Sequence, residues 1–250
     1  MLPFLTNRPL VLTRYPNGID KEGFYEKDAP KGKPPWIKTM KRYSPTANRF
    51  INYLICNDLD TLLWIANLAA LEIHVTLARA DSFEKPDLVL FDVDPEPPAD
   101  FDDAIEVALQ LKRHLDDLNL KSFVKTSGKK GMHVLVPIVS NYSFAQTRSF
   151  VHQIGEQLAK EMPNVVSEFS KTKEKGTVFI DYLQNSHGRT MICPYSLRAT
   201  PDASVSTPLE WSDINKGLKP SDLNISSVPK MRKEPWSDLF NNKQKLEVKE

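Results

Sequence analysis

With 250 residues, 40% of them apolar and 26% charged, the chain has the makeup of a soluble globular enzyme and enough apolar material for a sizeable core. No apolar run reaches the roughly 18 residues of a membrane span; the start Met1–Leu12 is interrupted by Pro3, Arg8 and Pro9, and Cys56 and Cys193 belong to no Cys-x-x-Cys or Cys/His spacing. No spanning helix, secretory leader, zinc site or disulfide framework is expected on these features, and the expected setting is a reducing cytoplasm with no membrane contact.

Charge is unevenly spread. Residues 1–50 carry ten Lys/Arg against four Asp/Glu, residues 51–120 four against fifteen, and residues 121–250 nineteen against thirteen, beneath a net charge of +1. An acidic centre between basic flanks suits metal held within a polyanion-binding surface, and equally suits ordinary solvated faces.

Leu10–Tyr15 reads as a strand closed by the turn Pro16-Asn17-Gly18. The segment from Gly23 to Lys33 alternates aromatic and basic residues, so Phe24 and Tyr25 either stack on bases while lysines neutralise phosphates or simply pack a hairpin. Trp36–Thr39 opens another strand. Asp60 caps a helix running to Ala70, followed by the strand Leu71–Val75 with Ile73 and Val75 inward and His74 on the other face, where a structural role suffices for it.

Leu88–Pro95 is the centre of the chain. Four apolar residues run into a carboxylate, and strand alternation aims Asp92 and Asp94 at one spot while Phe91 and Val93 face away. Two like charges so placed repel, and a shared divalent cation relieves the repulsion. Asp100 then caps a helix whose stripe is Phe101, Ala104, Ala108, Leu111, Leu115 and Leu118. Ser122–Ser127 and Met132–Pro137 form a hairpin around Gly128-Lys129-Lys130-Gly131, a loop whose bare backbone N–H groups can approach phosphate and which is also a common hairpin turn. Ser143 and Gln146 make a capping box for a helix burying Thr147, Val151, Ile154 and Leu158 and ending before Pro163. Val165–Phe169 and Thr177–Leu183 read as an antiparallel pair around Lys171–Gly176, with Asp181 interrupting the second strand. From Arg198 onward the chain is rich in Pro, Ser and Lys, with short packed segments at Leu209–Trp211 and Pro235–Phe240.

Three strand carboxylates, Asp92, Asp94 and Asp181, with a basic Gly loop and a strand histidine, match what two-metal phosphoryl transfer requires, and Lys130 and Arg198 add positive charge where the transition state gathers negative charge. A rival of another class, a DNA-end-bridging protein with secondary catalysis, has no need to keep repelling carboxylates together.

Seven ordered segments carry a resemblance: Arg14–Gly18, Phe24–Lys27, Leu71–His74, Phe91–Pro95, Phe123–Val134, Phe179–Asn185 and Pro194–Ala199. On these the chain resembles the polymerase domain of bacterial and archaeal end-joining ligases (ligase D), a branch of the archaeo-eukaryotic primase superfamily. The resemblance implies an α/β primase-type fold: a mixed sheet in an RRM-like catalytic module, covered by the helices near 101–118 and 144–161, plus an N-terminal α/β lobe. The chain is then one domain over 1–250, with a template-side lobe over 1–85, the catalytic module over 86–200 and an irregular tail over 201–250. It further implies that Asp92, Asp94 and Asp181 bind two divalent cations, Mn2+ or Mg2+. His74, Ser127, Lys130, His133 and Arg198 then surround the incoming NTP or dNTP, with Ser127 near the sugar. Phe24 and Tyr25 form the stacking platform, and Lys27 lies on the DNA side. Members add preferentially ribonucleotides to 3′-OH ends at breaks and gaps, in partnership with Ku and a ligase; a primase that starts chains unprimed is the nearest alternative. The expected location is the cytoplasm, on the nucleoid.

The chain departs from the family's pattern in places. Relatives usually carry a longer N-terminal stretch with lysines for the downstream 5′-phosphate, so that recognition here either uses other groups such as Arg14, Lys31 or Lys33 or is weakened. Many have Arg-x-Arg where Arg198-Ala199-Thr200 stands, and some have arginine in place of Gln184, so triphosphate binding is expected to be weaker. A ligase or nuclease module does not fit in 250 residues, so separately encoded partners are expected.

Overall fold

The computed structural model describes residues 1–44, 47–168, 174–231 and 233–247, and the expected strand end at Phe169 and turn residues Lys171, Thr172 and Lys173 lie outside them. The chain opens with α1 (Leu2–Leu5), β1 (Pro9–Arg14), β2 (Phe24–Glu26), β3 (Thr39–Ser44), β4 (Arg49–Ile55), α2 (Leu59–Asn67) and β5 (Ala70–Thr76). After a short turn of helix it continues through β6 (Leu88–Pro95), α3 (Phe101–Asp117), β7 (Phe123–Thr126), β8 (Met132–Pro137), α4 (Phe144–Glu161), β9 (Val165–Val166), β10 (Val178–Ile180), β11 (Thr190–Ile192) and β12 (Pro208–Leu209). One sheet has the order β11-β5-β1-β4-β3, with β2 also on β1; the other has the order β12-β7-β8-β6-β10-β9.

β6 belongs to two cores at once. Val89, Phe91 and Val93 pack with Ala104, Ala108 and Leu111 of α3 and Val151 and Ile154 of α4, while Leu88 and Leu90 face Leu10, Leu12, Ile73 and Val75 of the first sheet. Each such aliphatic side chain contributes on the order of 1.5–3 kcal/mol when fully buried. Burying a carboxylate at the next position on that face instead costs several kcal/mol unless it is compensated, so Asp92 sits where packing alone would select leucine. Buried Arg8 and half-buried Arg79 both bond the Asp87 carboxylate, at 2.8 Å each, and so anchor the entry to β6.

The helices follow their caps. Asp100 and Asp103 close a capping box on α3, and Ser143 and Gln146 close one on α4, whose predicted face is buried throughout. Four expectations need correction. Asp58, not Asp60, caps α2, because its carboxylate accepts from the Thr61 N–H at 2.8 Å, and the helix ends at Asn67 rather than Ala70, which already opens β5. Leu118 is the C-cap of α3 and is 41% exposed, since the stripe turns off the sheet after Leu115. Trp36 and Ile37 close a turn on Pro34, so β3 begins only at Thr39.

The fourth correction concerns β9 and β10, which pair in parallel. The Gly176 N–H donates to the Glu96 carbonyl and the Glu96 N–H donates to the Thr177 carbonyl, which anchors the returning chain at the end of β6 and runs β10 antiparallel to β6. The strand also stops at Ile180, because Asp181 caps a short helix at Tyr182–Asn185. Beyond residue 200 the chain is irregular but packed: Trp211 and Trp236 donate their indole N–H groups to the Ser122 and Val124 carbonyls, and Pro208–Leu209 extends the second sheet at β7. Among the described residues no helix is long and apolar enough to cross a membrane.

Candidate active site

The strand alternation of β6 delivers Asp92 and Asp94 to the end of the second sheet, flanked by β8 and β10. Register sets His133 opposite Asp92 and Phe179 opposite Asp94, and the Asp181 N–H donates to the Asp92 carbonyl at 2.9 Å. Burial pushes all three carboxyls up to about 6, with the charge of Asp92 contributing at Asp94 and Asp181. His133 lies 3.1 Å from the Asp92 carboxylate through Nε2. Burial, with the charges of Lys125 and Arg198, holds this imidazole well below its usual range, so it is neutral beside the carboxylate. Its Nδ1 is buried with no hydrogen-bond partner. Gly131 is required here because a Cβ would collide with the Val93 carbonyl and stand 2.9 Å from the Asp94 carboxylate.

A cavity of about 230 Å³ opens at this point, and it is lined by Asp92, Asp94 and all five residues expected around a nucleotide, namely His74, Ser127, Lys130, His133 and Arg198. Lys129 and Gln184 line it too, whereas Asp181 stands beside it without reaching the wall. The Gly loop is not the bare phosphate cradle expected of it: Ser127 Oγ accepts from the Lys129 and Gly131 N–H groups at 3.3 and 3.1 Å. Lys130 is braced as well, its Nζ donating to the Pro95 carbonyl at 3.0 Å. Gly128, at φ +76°, lets Arg198 pack across the turn, where a Cβ would stand 2.6 Å from Arg198 Cγ.

The residues expected on the DNA side divide. Phe24 and Tyr25 are 44% and 53% exposed, and the Tyr25 ring meets His74 edge-on at 6.0 Å, so the aromatic pair borders the cavity. Lys27 lies over the Tyr25 ring. Arg14 is spent on structure: it bonds the Leu68 carbonyl and Glu26 and covers the Phe24 ring. Lys33 likewise donates to the Ile37 carbonyl at 2.8 Å, while Lys31 is exposed.

Two residues of the site were not singled out from the sequence. Glu72, 5% exposed in β5, gathers His74, Lys129 and Arg198. Lys125, fully buried in β7 opposite His133, donates to Ser206 Oγ at 2.6 Å; burial and the Arg198 charge bring it down to about 7. Both carry the mark that flagged Asp92, a charge inside an apolar strand.

The three aspartates supply hard oxygen donors on adjoining backbone, the donor set that magnesium or manganese takes. Their side chains do not close on one point: Asp92 turns to His133 and Asp181 to the Leu183 N–H at 2.9 Å, and among the described residues no three His, Cys, Asp or Glu groups lie close enough to hold an ion. The Asp181 N–H bond to the Asp92 carbonyl joins two of the three positions along the backbone, but among the described residues the carboxylates do not form a closed cation site.

A family model described as LigD, primase-polymerase domain, matches residues 1–240. The bifunctional non-homologous end joining protein LigD of Bacillus subtilis is 32% identical over 249 residues, covering 98% of this chain and 40% of the relative. The multifunctional LigD of Mycolicibacterium smegmatis is 32% identical over 219 residues, covering 86% of this chain and 28% of the relative. The chain therefore spans well under half the length of these curated relatives. Among solved structures, the polymerase domain of Mycobacterium tuberculosis ligase D in complex with DNA superposes with a TM-score of 0.87 at 28% identity, covering 98% of this chain and 88% of that one.

Proposed function

Because this chain belongs to the family of LigD primase-polymerase domains, a family of DNA-repair nucleotidyltransferases, we propose that it adds nucleotides, ribonucleotides by preference, to 3′-hydroxyl ends at DNA breaks and gaps. The observation that carries this reading is the convergence of His74, Ser127, Lys130, His133 and Arg198 with Asp92 and Asp94 on one cavity bordered by an exposed aromatic pair. Asp92, Asp94 and Asp181 would hold two divalent cations, Mn2+ or Mg2+, which when bound lower the pKa of the attacking hydroxyl and neutralise the leaving pyrophosphate.

The chain's own groups do the rest. Arg198 and Lys130 stand where the triphosphate gathers charge, and their positive ends favour the transition state over the ground state. Neutral His133 stands 3.1 Å from the Asp92 carboxylate and lines the cavity beside it. Ser127, tied to two loop N–H groups, is fixed at the cavity wall near the sugar. Phe24 and Tyr25 stack on template base and nucleotide while Lys27 meets the backbone, so that the template chooses what enters. Ku and a ligase activity are the partners that this role calls for, on DNA ends in the nucleoid.

Single-nucleotide gap filling on a DNA duplex tests the reading. ATP should outcompete dATP, and addition should need Mn2+ or Mg2+. Equal use of the two sugars removes the ribonucleotide preference, and extension in excess chelator removes the two-cation chemistry.

A further inference from the structure

Glu72 lies on the same face of β5 as His74 and is closed off from solvent. Its Oε1 stands 3.2 Å from Arg198 Nε and 3.3 Å from Lys129 Nζ, and accepts from the Ala199 N–H at 3.2 Å; Oε2 stands 3.5 Å from His74 Nε2. Burial works against its charge, but the His74 contact, the charges of Arg198 and Lys129 and the Ala199 N–H together hold its carboxyl down to about 2. The three side chains it touches come from three separate pieces of chain, and all of them line the cavity. Arg198 Nε makes no hydrogen bond, so the guanidinium is held to Glu72 by charge while its side chain lines the cavity.

We propose that Glu72 is a positioning residue for nucleotide binding, gathering Arg198, Lys129 and His74 so that they meet the phosphates of an incoming nucleotide as a set. Unanchored, the two cations in so small a space repel one another, and Lys129, already 45% exposed, is free to swing into solvent. The proposal rests on the reading of this cavity as the nucleotide site. It also has a definite sign. A buried carboxylate that only opposed the triphosphate would, on removal, tighten nucleotide binding; one that aims cations would loosen it.

The test uses the full chain with E72Q and E72D. The readouts are the Kd for a fluorescent ATP analogue, KM and kcat for ATP in gap filling, and the Kd for DNA. E72Q should raise the nucleotide Kd and KM about tenfold by releasing charge-assisted contacts, with kcat changed less than about threefold and DNA affinity unchanged. E72D keeps a carboxylate too short to span Arg198 and His74, so it should raise both constants by less. It also decides the matter should E72Q fail to fold. Unchanged or lower constants in whichever variant folds overturn the proposal. If the parental protein binds the analogue and extends DNA while the variants match it, Glu72 alone is misassigned; if the parental protein does neither, the reading of the cavity falls and this proposal with it.

Discussion

In the first sheet, Phe24 and Tyr25 of β2 and Lys41 and Arg42 of β3 stand in water, whereas in the second Asp92, His133 and Lys125 are 8%, 6% and 0% exposed. The second sheet is covered on one face by α3 and α4 and on the other by the core it shares with the first, so its polar groups sit in a low dielectric. Charges there are costly and responsive, as Lys125 near 7 and Asp92 near 6 attest, both moved chiefly by burial. Charges on β3 act through solvent, weakly and under the control of salt. A polymer is gripped well by many weak contacts; bond making needs a few strong ones. The division of labour follows burial: the exposed strands β2 and β3 grip, while the buried groups of the second sheet, joined by Glu72 and His74 of β5, act at the cavity.

The largest expected effect tests that division directly. Replacing Asp92 and Asp94 together by alanine should cut nucleotide addition by about a hundredfold or more, yet leave DNA affinity, read by fluorescence anisotropy, within about threefold of the parental value. Extension at the parental rate would remove these carboxylates from the chemistry. Collapse of DNA binding as well would mean that the two sheets do not divide the work.

The converse substitution lies on the first sheet. Aromatic stacking contributes about 1–3 kcal/mol per base, so F24A should weaken DNA binding roughly tenfold to a hundredfold and leave the nucleotide Kd unchanged. Y25A should disturb both, because the Tyr25 ring touches His74 and its hydroxyl lies 3.3 Å from Thr190 Oγ1. Equal and purely DNA-side losses in the two variants would separate Tyr25 from the cavity.

The sequence was legible where one face of an element decides its pattern. The alternation of Leu88–Pro95 gives the strand and the direction of Asp92, and the Asp100 cap and the Ser143–Gln146 capping box give true helix starts. It was misleading where a distant partner decides. Nothing local distinguishes a hairpin from the return that pairs β10 with β6, since that choice is made by Glu96 bonding Gly176 and Thr177. For the same reason Arg14 and Lys33 looked free: a basic residue near an aromatic run has its carbonyl partner, Leu68 or Ile37, specified only by the fold. Glu72 and Lys125 were readable in principle, as charges within buried strands, but their roles depend on partners about 57 and 81 positions away.

Lys125 supplies a test of how far burial governs the second sheet. Its pKa falls from 10.5 in the unfolded chain to about 7 in the fold, so between those values the unfolded state binds more protons and stability rises with pH. Below pH 7 the full penalty for burying the charge is present. K125M removes that penalty at the cost of the Ser206 hydrogen bond, so it should stabilise the protein by about 1–3 kcal/mol near pH 6 and be neutral or slightly destabilising near pH 10. Thermal melts at the two pH values check the reversal, and a pH-independent difference would mean that the lysine stays charged in the fold.

The smallest effect separates two lysines of the first-sheet side that the sequence alone treats alike. An exposed lysine that neutralises one phosphate contributes about one unit to the slope of log K against log salt, so K31A should lower that slope by about one. Lys33 donates to the carbonyl of Ile37, a residue that is 2% exposed, so its ammonium is committed to the turn before β3. K33A should leave the slope unchanged and instead cost about 0.5–1.5 kcal/mol of stability through the lost hydrogen bond. Equal slopes for the two variants would show that DNA draws Lys33 off its carbonyl, in which case the phosphate contact is strong enough to replace an internal bond and the exposed sheet binds more tightly than its separate weak contacts imply.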